Sequence, residues 1–240
     1  MPASGVMDNI LQVKNLKASY SNQTVFEDVS FELPKAGFIT IVGPNGAGKS
    51  TLIKILSGIK KAKSGQFTVG DGKFSPRIGF LPQENRQFQD FPASAYEVIE
   101  SGFKNDHLFW PFLSKSEHQK LNDICAFMEI TDLLNKQYRN LSGGQRRKVL
   151  LCRALCAGEE LLFLDEPVAG LDLQSADILY RLIVRLNKER KAAILIVSHD
   201  LKKAMNLPGL IMHFDHGIKF MGNPSEYEKT RFFKEEEGHL

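Results

Sequence analysis

The chain has 240 residues, which is enough for one large domain or for one domain with a small insert. Its residues are 42% hydrophobic and 25% charged, a balance typical of globular proteins, so disordered, collagen-like and coiled-coil classes are excluded. The 31 basic residues exceed the 28 acidic ones by only three, so charge predicts no nucleic-acid partner. The longest apolar stretch, about Ala192 to Val197, is far shorter than the ~20 residues of a spanning helix. We therefore expect a chain that is not embedded in a membrane.

The N-terminus and the cysteines predict a protein that stays inside the cell. Residues 1–9 lack the basic region and apolar core of a signal peptide, so they are predicted to be a leader, with Met7 as an alternative start. Cys125, Cys152 and Cys156 have no disulfide-framework spacing. We expect buried free thiols, with Cys152 and Cys156 on one helix face, rather than a zinc site.

Strands alternate with helices along the chain. Alternating apolar residues and a turn cluster at residues 21–23 predict short strands between Val6 and Leu33. The later elements are predicted as strand Phe38–Val42, helices Ser50–Ser57 and Gln145–Ala157, strand Leu161–Leu164, helix Leu173–Arg190 and strand Ala192–Val197. This order favours an α/β fold with a mostly parallel sheet flanked by helices.

Two further regions differ from this alternation. Residues from about 88 to 145 are mainly helical in pattern, for example over Ser116–Met128, and predict a helical subdomain inserted in a single domain of residues 10–240. The tail, Gly209–Leu240, predicts a hairpin around residues 215–217 followed by a charged helix.

A glycine-rich loop follows the first buried strand and matches G-x-x-x-x-G-K-[ST] in full. Its glycines let consecutive N–H groups point at phosphate oxygens, and the next helix directs its positive N-terminus at the same anion. Lys49 would reach the β- and γ-phosphates, and the Ser50 hydroxyl would ligate Mg²⁺. The residues predicted to hold ATP here are Gly43, Pro44, Asn45, Gly46, Ala47, Gly48, Lys49, Ser50 and Thr51.

An acidic pair, Asp165 and Glu166, ends the second buried strand. Asp165 would hold Mg²⁺ through its water shell, while Glu166 would point the other way and polarise the water that attacks the γ-phosphate. Two adjacent acids at a loop start are usually only solvated, but beside a phosphate loop they favour ATP hydrolysis.

A short segment before the next helix carries a second anion-binding pattern: Leu141, Ser142, Gly143, Gly144 and Gln145. Ser142 is suited to cap the helix, and the two glycines leave N–H groups uncovered. With this segment, the chain resembles an ATP-binding-cassette (ABC) ATPase of the P-loop NTPase class from about Ile10 to Pro224, with an antiparallel N-terminal region beside the core.

The resemblance implies roles for further residues. It implies that Tyr20 stacks on adenine, that Gln83 touches Mg²⁺ and senses a transmembrane partner, and that His199 contacts the γ-phosphate. It makes Lys49, Gln83, Glu166 and His199 the catalytic set and Ser50, Gln83 and Asp165 the metal ligands. It also implies a head-to-tail homodimer, in which the Ser142–Gln145 segment of one copy faces the phosphate loop of the other and the 169–172 loop links the two sites.

Softer signals indicate what the ATPase drives. Asp90-Phe91-Pro92 and the 166–172 segment resemble the zinc/manganese importer group. This implies permease subunits, indirect contact with an extracytoplasmic solute-binding protein, and a peripheral position at the cytoplasmic face of the membrane. An importer of iron chelate or cobalamin is the alternative within the family. A non-transport ABC ATPase acting on ribosomes or DNA, and a pure binding module, are weaker alternatives.

Three groups of residues are left with open or neutral interpretations. The apolar cluster Phe103, Leu108, Phe109, Trp110, Phe112 and Leu113 is either core packing of the insert or a groove for a permease helix. The histidine pair His213 and His216 is expected to be incidental, because the six histidines form no ligand set. The basic runs at residues 60–63 and 146–148 are expected to be solvated surface.

Overall fold

The computed structural model describes residues 8–20, 23–70, 77–83, 92–106 and 113–237. Its strands and α-helices, in chain order, are β1 Asn9–Tyr20, β2 Gln23–Pro34, β3 Phe38–Val42, α1 Lys49–Leu56, β4 Ser64–Val69, β5 Ile78–Leu81, α2 Ala95–Glu100, α3 Lys115–Phe127, α4 Gly143–Ala157, β6 Leu161–Asp165, α5 Leu173–Arg190, β7 Ala193–Val197, α6 Leu201–Ala204, β8 Leu210–Phe214, β9 Ile218–Gly222, α7 Pro224–Tyr227 and α8 Arg231–Glu237. Several sequence predictions lie outside the described residues: leader residues 1–7 with Met7, turn residues 21–22, Asp90 and Phe91, and four members of the apolar cluster, Leu108, Phe109, Trp110 and Phe112.

The larger sheet of the described chain has the strand order β5-β6-β7-β3-β8-β9, and all neighbours are parallel except the β8–β9 hairpin. Every residue of β3, β6 and β7 is buried, as expected for strands covered by helices on both faces. The predicted mostly parallel sheet is therefore confirmed, and α5 has the predicted bounds. In this arrangement the carboxyl ends of β5, β6, β7 and β3 meet at one edge.

The smaller sheet is antiparallel, with the order β2-β1-β4. Its first two strands have 12 residues each, so the prediction of short strands was wrong. Bulges interrupt the alternation, and Asn15 and Asp28 have positive φ angles of 48° and 57°. Because each bulge shifts the alternation of the side chains, one long strand has the sequence pattern of several short ones. Strands β4 and β5 were not predicted from the sequence.

The regular elements of the described residues between β5 and β6 are all helical. Serine capping boxes at Ser94 and Ser114 begin α2 and α3, and α4 packs against α2, α3 and β5. Phe103 is buried and Leu113 packs against the same apolar core. Cys125, Cys152 and Cys156 are free and buried, as predicted. No helix in the described ranges has the length and apolar character needed to cross a membrane.

The tail forms the predicted hairpin, β8 and β9, followed by the charged helix α8. His213 on β8 is buried, forms a hydrogen bond between its Nδ1 and the Tyr227 hydroxyl at 2.9 Å, and stacks on Phe232 with 4.6 Å between ring centroids. His213 therefore joins the tail to the sheet through its contacts with Tyr227 and Phe232.

Candidate functional site

The glycine-rich loop connects β3 to α1 and depends on two of its glycines. Gly43 has a φ of +134°, and a Cβ atom there would lie 2.3 Å from the carbonyl oxygen of Phe214 on β8. Gly48 caps α1 with a φ of +99°, and a Cβ atom there would lie 2.9 Å from the Val25 side chain. Side chains are excluded at both positions, so the backbone makes the tight turn that the motif predicts.

Lys49 lies inside this turn. Its side chain is almost fully buried, at 4% exposure, and its Nζ donates hydrogen bonds to the carbonyl oxygens of Gly43 and, at 2.7 Å, Pro44. These bonds hold a positive charge within the loop, beside the N-terminus of α1, whose amides carry a partial positive charge of their own. The combination is a binding site for an anion.

Asp165 lies opposite the loop at the end of β6. The Ser50 hydroxyl donates a 2.9 Å hydrogen bond to Asp165 Oδ1. The carboxylate is fully buried, and its Oδ2 has no hydrogen-bond partner within the described residues. Burial raises the pKa of Asp165, while the bond from Ser50 lowers it to a smaller extent. A buried carboxylate oxygen next to a hydroxyl suits a hard cation such as Mg²⁺, so the residues present fit this ion.

Glu166, Gln83 and His199 form a cluster at the ends of three adjacent strands. Gln83 Nε2 donates a 3.0 Å hydrogen bond to Glu166 Oε2, and His199 Nε2 forms a hydrogen bond with Glu166 Oε1. The Glu166 side chain is 14% exposed, so its carboxylate is held at the edge of solvent. Its backbone has a φ of +49°, a strained conformation for a residue with a Cβ. The structure thus brings these three predicted residues together.

A cleft of about 350 Å³ joins the loop to the N-terminal sheet. Its lining includes Tyr20, residues 45–51, Glu166, His199 and His216. The sequence did not predict His216 at this site. Tyr20 is 53% exposed, and Lys60 Nζ lies 2.8 Å from its ring centroid. Hydrogen bonds to Thr51 and Lys60 lower the pKa of Tyr20. Lys60 is therefore a contact of the predicted adenine-stacking residue, and its assignment as solvated surface was wrong.

His216 enters the cleft from the β8–β9 turn. Its N–H donates to the carbonyl of Ala47 at 3.1 Å, and its Nδ1 forms a 2.8 Å hydrogen bond with the carbonyl of Val25. These contacts join His216 to the phosphate loop and to β2. No local sequence signal marks this residue, since both partners are far away in the chain.

The segment from Ser142 to Gln145 begins α4 with a capping box. Ser142 Oγ accepts a hydrogen bond from the Gln145 N–H at 3.3 Å, and Gln145 Oε1 accepts one from the Ser142 N–H at 3.0 Å. A Cβ at Gly144 would lie 2.9 Å from the Ser175 hydroxyl, so glycine is needed for packing against α5. None of residues 142–145 belongs to the described lining of the 350 Å³ cleft or of the neighbouring 1090 Å³ groove.

Arg147 corrects a further prediction. The basic run at residues 146–148 was expected to be solvated, but Arg147 is fully buried. Its Nη1 donates to the carbonyl of Pro82 at 3.2 Å and its Nη2 to that of Glu166 at 3.1 Å. The helical period places Arg147 on the inner face of α4, in line with the buried Leu151. A run of like charges does not reveal which of its members faces inward.

Comparison with known proteins identifies the family. The ABC transporter family matches residues 26–169. The zinc uptake system ATP-binding protein ZurA of Listeria innocua is 32% identical, over 92% of this chain and 89% of the relative. The zinc import ATP-binding protein ZnuC of Hydrogenovibrio crunogenus is 34% identical, over 94% and 86%. The manganese transport system ATP-binding protein MntB of Bacillus subtilis is 33% identical, over 81% and 78%.

Solved structures give the same result. The structure of cbiO1 from Clostridium perfringens, part of the ABC transporter complex cbiONQ, superposes with a TM-score of 0.78 and 26% identity, covering 97% of this chain and 96% of that one. A nucleotide-free ATP-binding cassette from an ABC transporter superposes with a TM-score of 0.77 at 22% identity, covering 94% and 95%, and so supports the fold. The chain belongs to the ABC transporter family, in which it is an ATP-binding and ATP-hydrolysing subunit.

Proposed function

We propose that this ATPase powers the import of divalent metal ions of the zinc and manganese type through a membrane permease. The observation that carries the proposal is the similarity to zinc and manganese ATP-binding subunits at about one third identity over most of the chain. The chemistry of hydrolysis is common to the whole family, so the cargo is inferred from these relatives and not from the nucleotide site.

We infer that ATP binds in the 350 Å³ cleft. Its triphosphate lies in the curve of the 43–51 loop, and its adenine stacks on Tyr20, whose ring lines the same cleft. Lys49 then exchanges its bonds to loop carbonyls for bonds to the β- and γ-phosphates. The half-exposed Tyr20 ring and the buried ammonium support this orientation.

Mg²⁺ would be held by Ser50, Asp165 and Gln83. When bound, the ion neutralises charge on the phosphate oxygens. The Asp165 Oδ2 atom, buried without a partner in the described structure, supports its role as the acidic ligand. The short distance from Ser50 to Asp165 Oδ1 supports their acting together.

Glu166 would act as the general base that polarises the attacking water. Gln83 and His199 hold one carboxylate oxygen each, so the carboxylate is oriented before ATP arrives. His199 in addition would contact the γ-phosphate, because it lines the same cleft. Hydrolysis then removes the γ-phosphate, which Lys49 and His199 would both bind.

The Ser142–Gln145 segment would serve a second copy of the chain. It lies outside the described lining of both the 350 Å³ cleft and the 1090 Å³ groove, which leaves it available to the partner copy in a head-to-tail dimer. In such a dimer the N-terminus of α4, capped by Ser142, adds a second set of amides around the ATP of the partner. Closure and opening of the dimer would drive a permease at the cytoplasmic face of the membrane, with a solute-binding protein acting on the other side.

The experiment is metal uptake by cells that lack this chain. Loss of the chain is expected to abolish growth in chelator-treated medium, and added zinc or manganese is expected to restore it. The intact gene restores uptake of radioactive zinc or manganese, whereas Lys49→Met does not. If the deletion leaves both uptakes unchanged but reduces uptake of an iron chelate or cobalamin, the metal-ion proposal is wrong.

A further inference from the structure

Arg147 is a buried charge that the nucleotide site does not use. It lies in the second turn of α4, directly after the Ser142–Gln145 segment, and none of its surface is exposed. Burying a guanidinium is costly unless it is hydrogen-bonded. Its position therefore requires specific partners, and the identity of those partners indicates what it does.

Two of the partners of Arg147 are backbone carbonyls at the ends of adjacent strands. Arg147 Nη1 donates to Pro82, the residue before Gln83, and Nη2 donates to Glu166 itself. Strands β5 and β6 are paired, with Leu81 opposite Leu164. A planar guanidinium with fixed donors spans this gap in one geometry, which a flexible ammonium does not. The Arg147 side chain thus connects the backbone next to Gln83 with the backbone of Glu166. The side chains of these two residues are hydrogen-bonded to each other.

Glu166 needs such support. Its φ of +49° is a left-handed conformation, which is strained for a residue with a Cβ atom. Its N–H donates to the carbonyl of Val197 at 3.2 Å, and its own carbonyl accepts from Arg147. The backbone is thus fixed on both sides of the strained Cα atom, which sets the direction of the side chain toward Gln83 and His199.

We propose that Arg147 is a positioning residue for hydrolysis, which fixes Glu166 relative to Gln83 and couples both to the helix that carries the Ser142–Gln145 segment. The proposal rests on the role of Glu166 proposed above. Movement of α4 then changes the alignment of the carboxylate, because the same side chain bridges the helix and the two strand ends.

The test compares Arg147→Met with Arg153→Met in the purified full-length chain. Arg153 lies on the same helix and donates to Ser101 at 2.9 Å, away from β5 and β6, so it controls for loss of an arginine contact on α4. Arg147→Met is expected to lower kcat by ~10- to 100-fold, since small misplacements of a catalytic group have effects of this size. KM and the Kd for ATP are expected to stay within about threefold of the parent, and Arg153→Met is expected to leave kcat within about twofold.

A double variant separates positioning from general destabilisation. In a Glu166→Gln background, Arg147→Met is expected to cause no further loss of kcat, because two residues that act as a unit are not additive. If the loss of kcat in the double variant equals the product of the losses in the two single variants, the proposal is overturned. A kcat of Arg147→Met within about twofold of the parent would overturn it as well. If Glu166→Gln alone leaves turnover intact, the proposed base is wrong, whatever Arg147 does.

The Arg147→Lys variant provides a second test in case Arg147→Met folds poorly. Lysine keeps the charge but reaches only one carbonyl, so an intermediate kcat with unchanged ATP affinity is expected. A loss of kcat that matches the unfolded fraction, measured by circular dichroism at the assay temperature, would show a purely structural role and overturn the proposal. An unchanged kcat in a folded Arg147→Lys variant that binds ATP like the parent would do the same.

Discussion

Replacing Asp165 by asparagine is expected to stabilise the protein in buffer without nucleotide and to abolish its magnesium-dependent hydrolysis. The side chain is fully buried, one oxygen accepts from Ser50, and the other has no partner among the described residues. Asparagine has nearly the same shape and keeps an acceptor for Ser50, but it removes the buried negative charge. Stability and activity should therefore change in opposite directions.

The size of the stability gain follows from the burial. An unsatisfied buried polar group costs ~1–3 kcal/mol, and a charged one more. Asparagine still buries a polar amide, so we expect a net gain of ~1–2 kcal/mol in the free energy of unfolding. For a chain of this length each kcal/mol raises Tm by ~2–4 °C, so the expected shift is ~2–8 °C.

The pH dependence provides a separate check. Burial raises the pKa of Asp165, so the folded protein holds this proton more tightly than the unfolded chain. The stabilisation that comes from this raised pKa is therefore fully present below the ordinary carboxyl pKa. It is lost as the pH rises through the raised pKa of Asp165. The advantage of Asp165→Asn should grow as pH rises through the raised pKa of Asp165 and should shrink as pH falls toward the ordinary carboxyl pKa.

Thermal unfolding of the parent and of Asp165→Asn at several pH values, without nucleotide, measures the shift in Tm and its pH dependence. A parallel ATPase assay with and without Mg²⁺ measures the loss of hydrolysis. A lower Tm for Asp165→Asn at pH 7, or an advantage that grows as the pH falls, would refute the reasoning about burial.

Three further predictions test the site. Gly43→Ala should cost about 2–4 kcal/mol of stability and abolish ATP binding, because its Cβ would contact a carbonyl at 2.3 Å. Gly46→Ala, where a Cβ has no neighbour within 4 Å, should cost only ~1 kcal/mol; equal Tm losses in the two variants would contradict this. Ser142→Ala and Ser114→Ala each remove a helix cap and should each cost ~1 kcal/mol in denaturant unfolding. Only Ser142→Ala should also lower ATP turnover, and a similar loss with Ser114→Ala would contradict the role of the 142–145 segment. Tyr20→Ala should weaken ATP affinity about tenfold, measured by calorimetry, while Tyr20→Phe keeps the stacking ring and should stay near the parent; an equal loss in both variants would argue against stacking.

Elements with a strong local pattern could be predicted from the sequence. Buried strands such as Phe38–Val42 are continuous apolar runs, and α5 begins at the Asp172 cap and ends where the helical period stops. The glycine-rich loop was recognisable because its function requires fixed residues at fixed spacing. Strand β4 was missed because it is largely exposed and so lacks an apolar pattern, and β5 was missed because it has only four residues.

Contacts between distant segments could not be predicted in the same way. Lys60 on the Tyr20 ring, His216 beside Ala47, and Arg147 below Glu166 all join residues far apart in the chain. Lysine and arginine are common on protein surfaces, so Lys60 and Arg147 were expected to be exposed to solvent. Their roles depend on the packing of α4 and the β8–β9 hairpin, which the local sequence does not encode.

The most direct test of the account is ATP turnover by Glu166→Gln. Glutamine keeps the shape of the side chain and its contact with Gln83, but it is a poor general base, so hydrolysis is expected to fall by ~100-fold or more. The affinity of the variant for ATP should remain close to the parent value. Because bound ATP is not hydrolysed, the variant should accumulate as an ATP-bound dimer, which light scattering can measure. Turnover within a few-fold of the parent, with ATP bound, would contradict the assignment of Glu166 and with it the proposed catalytic site.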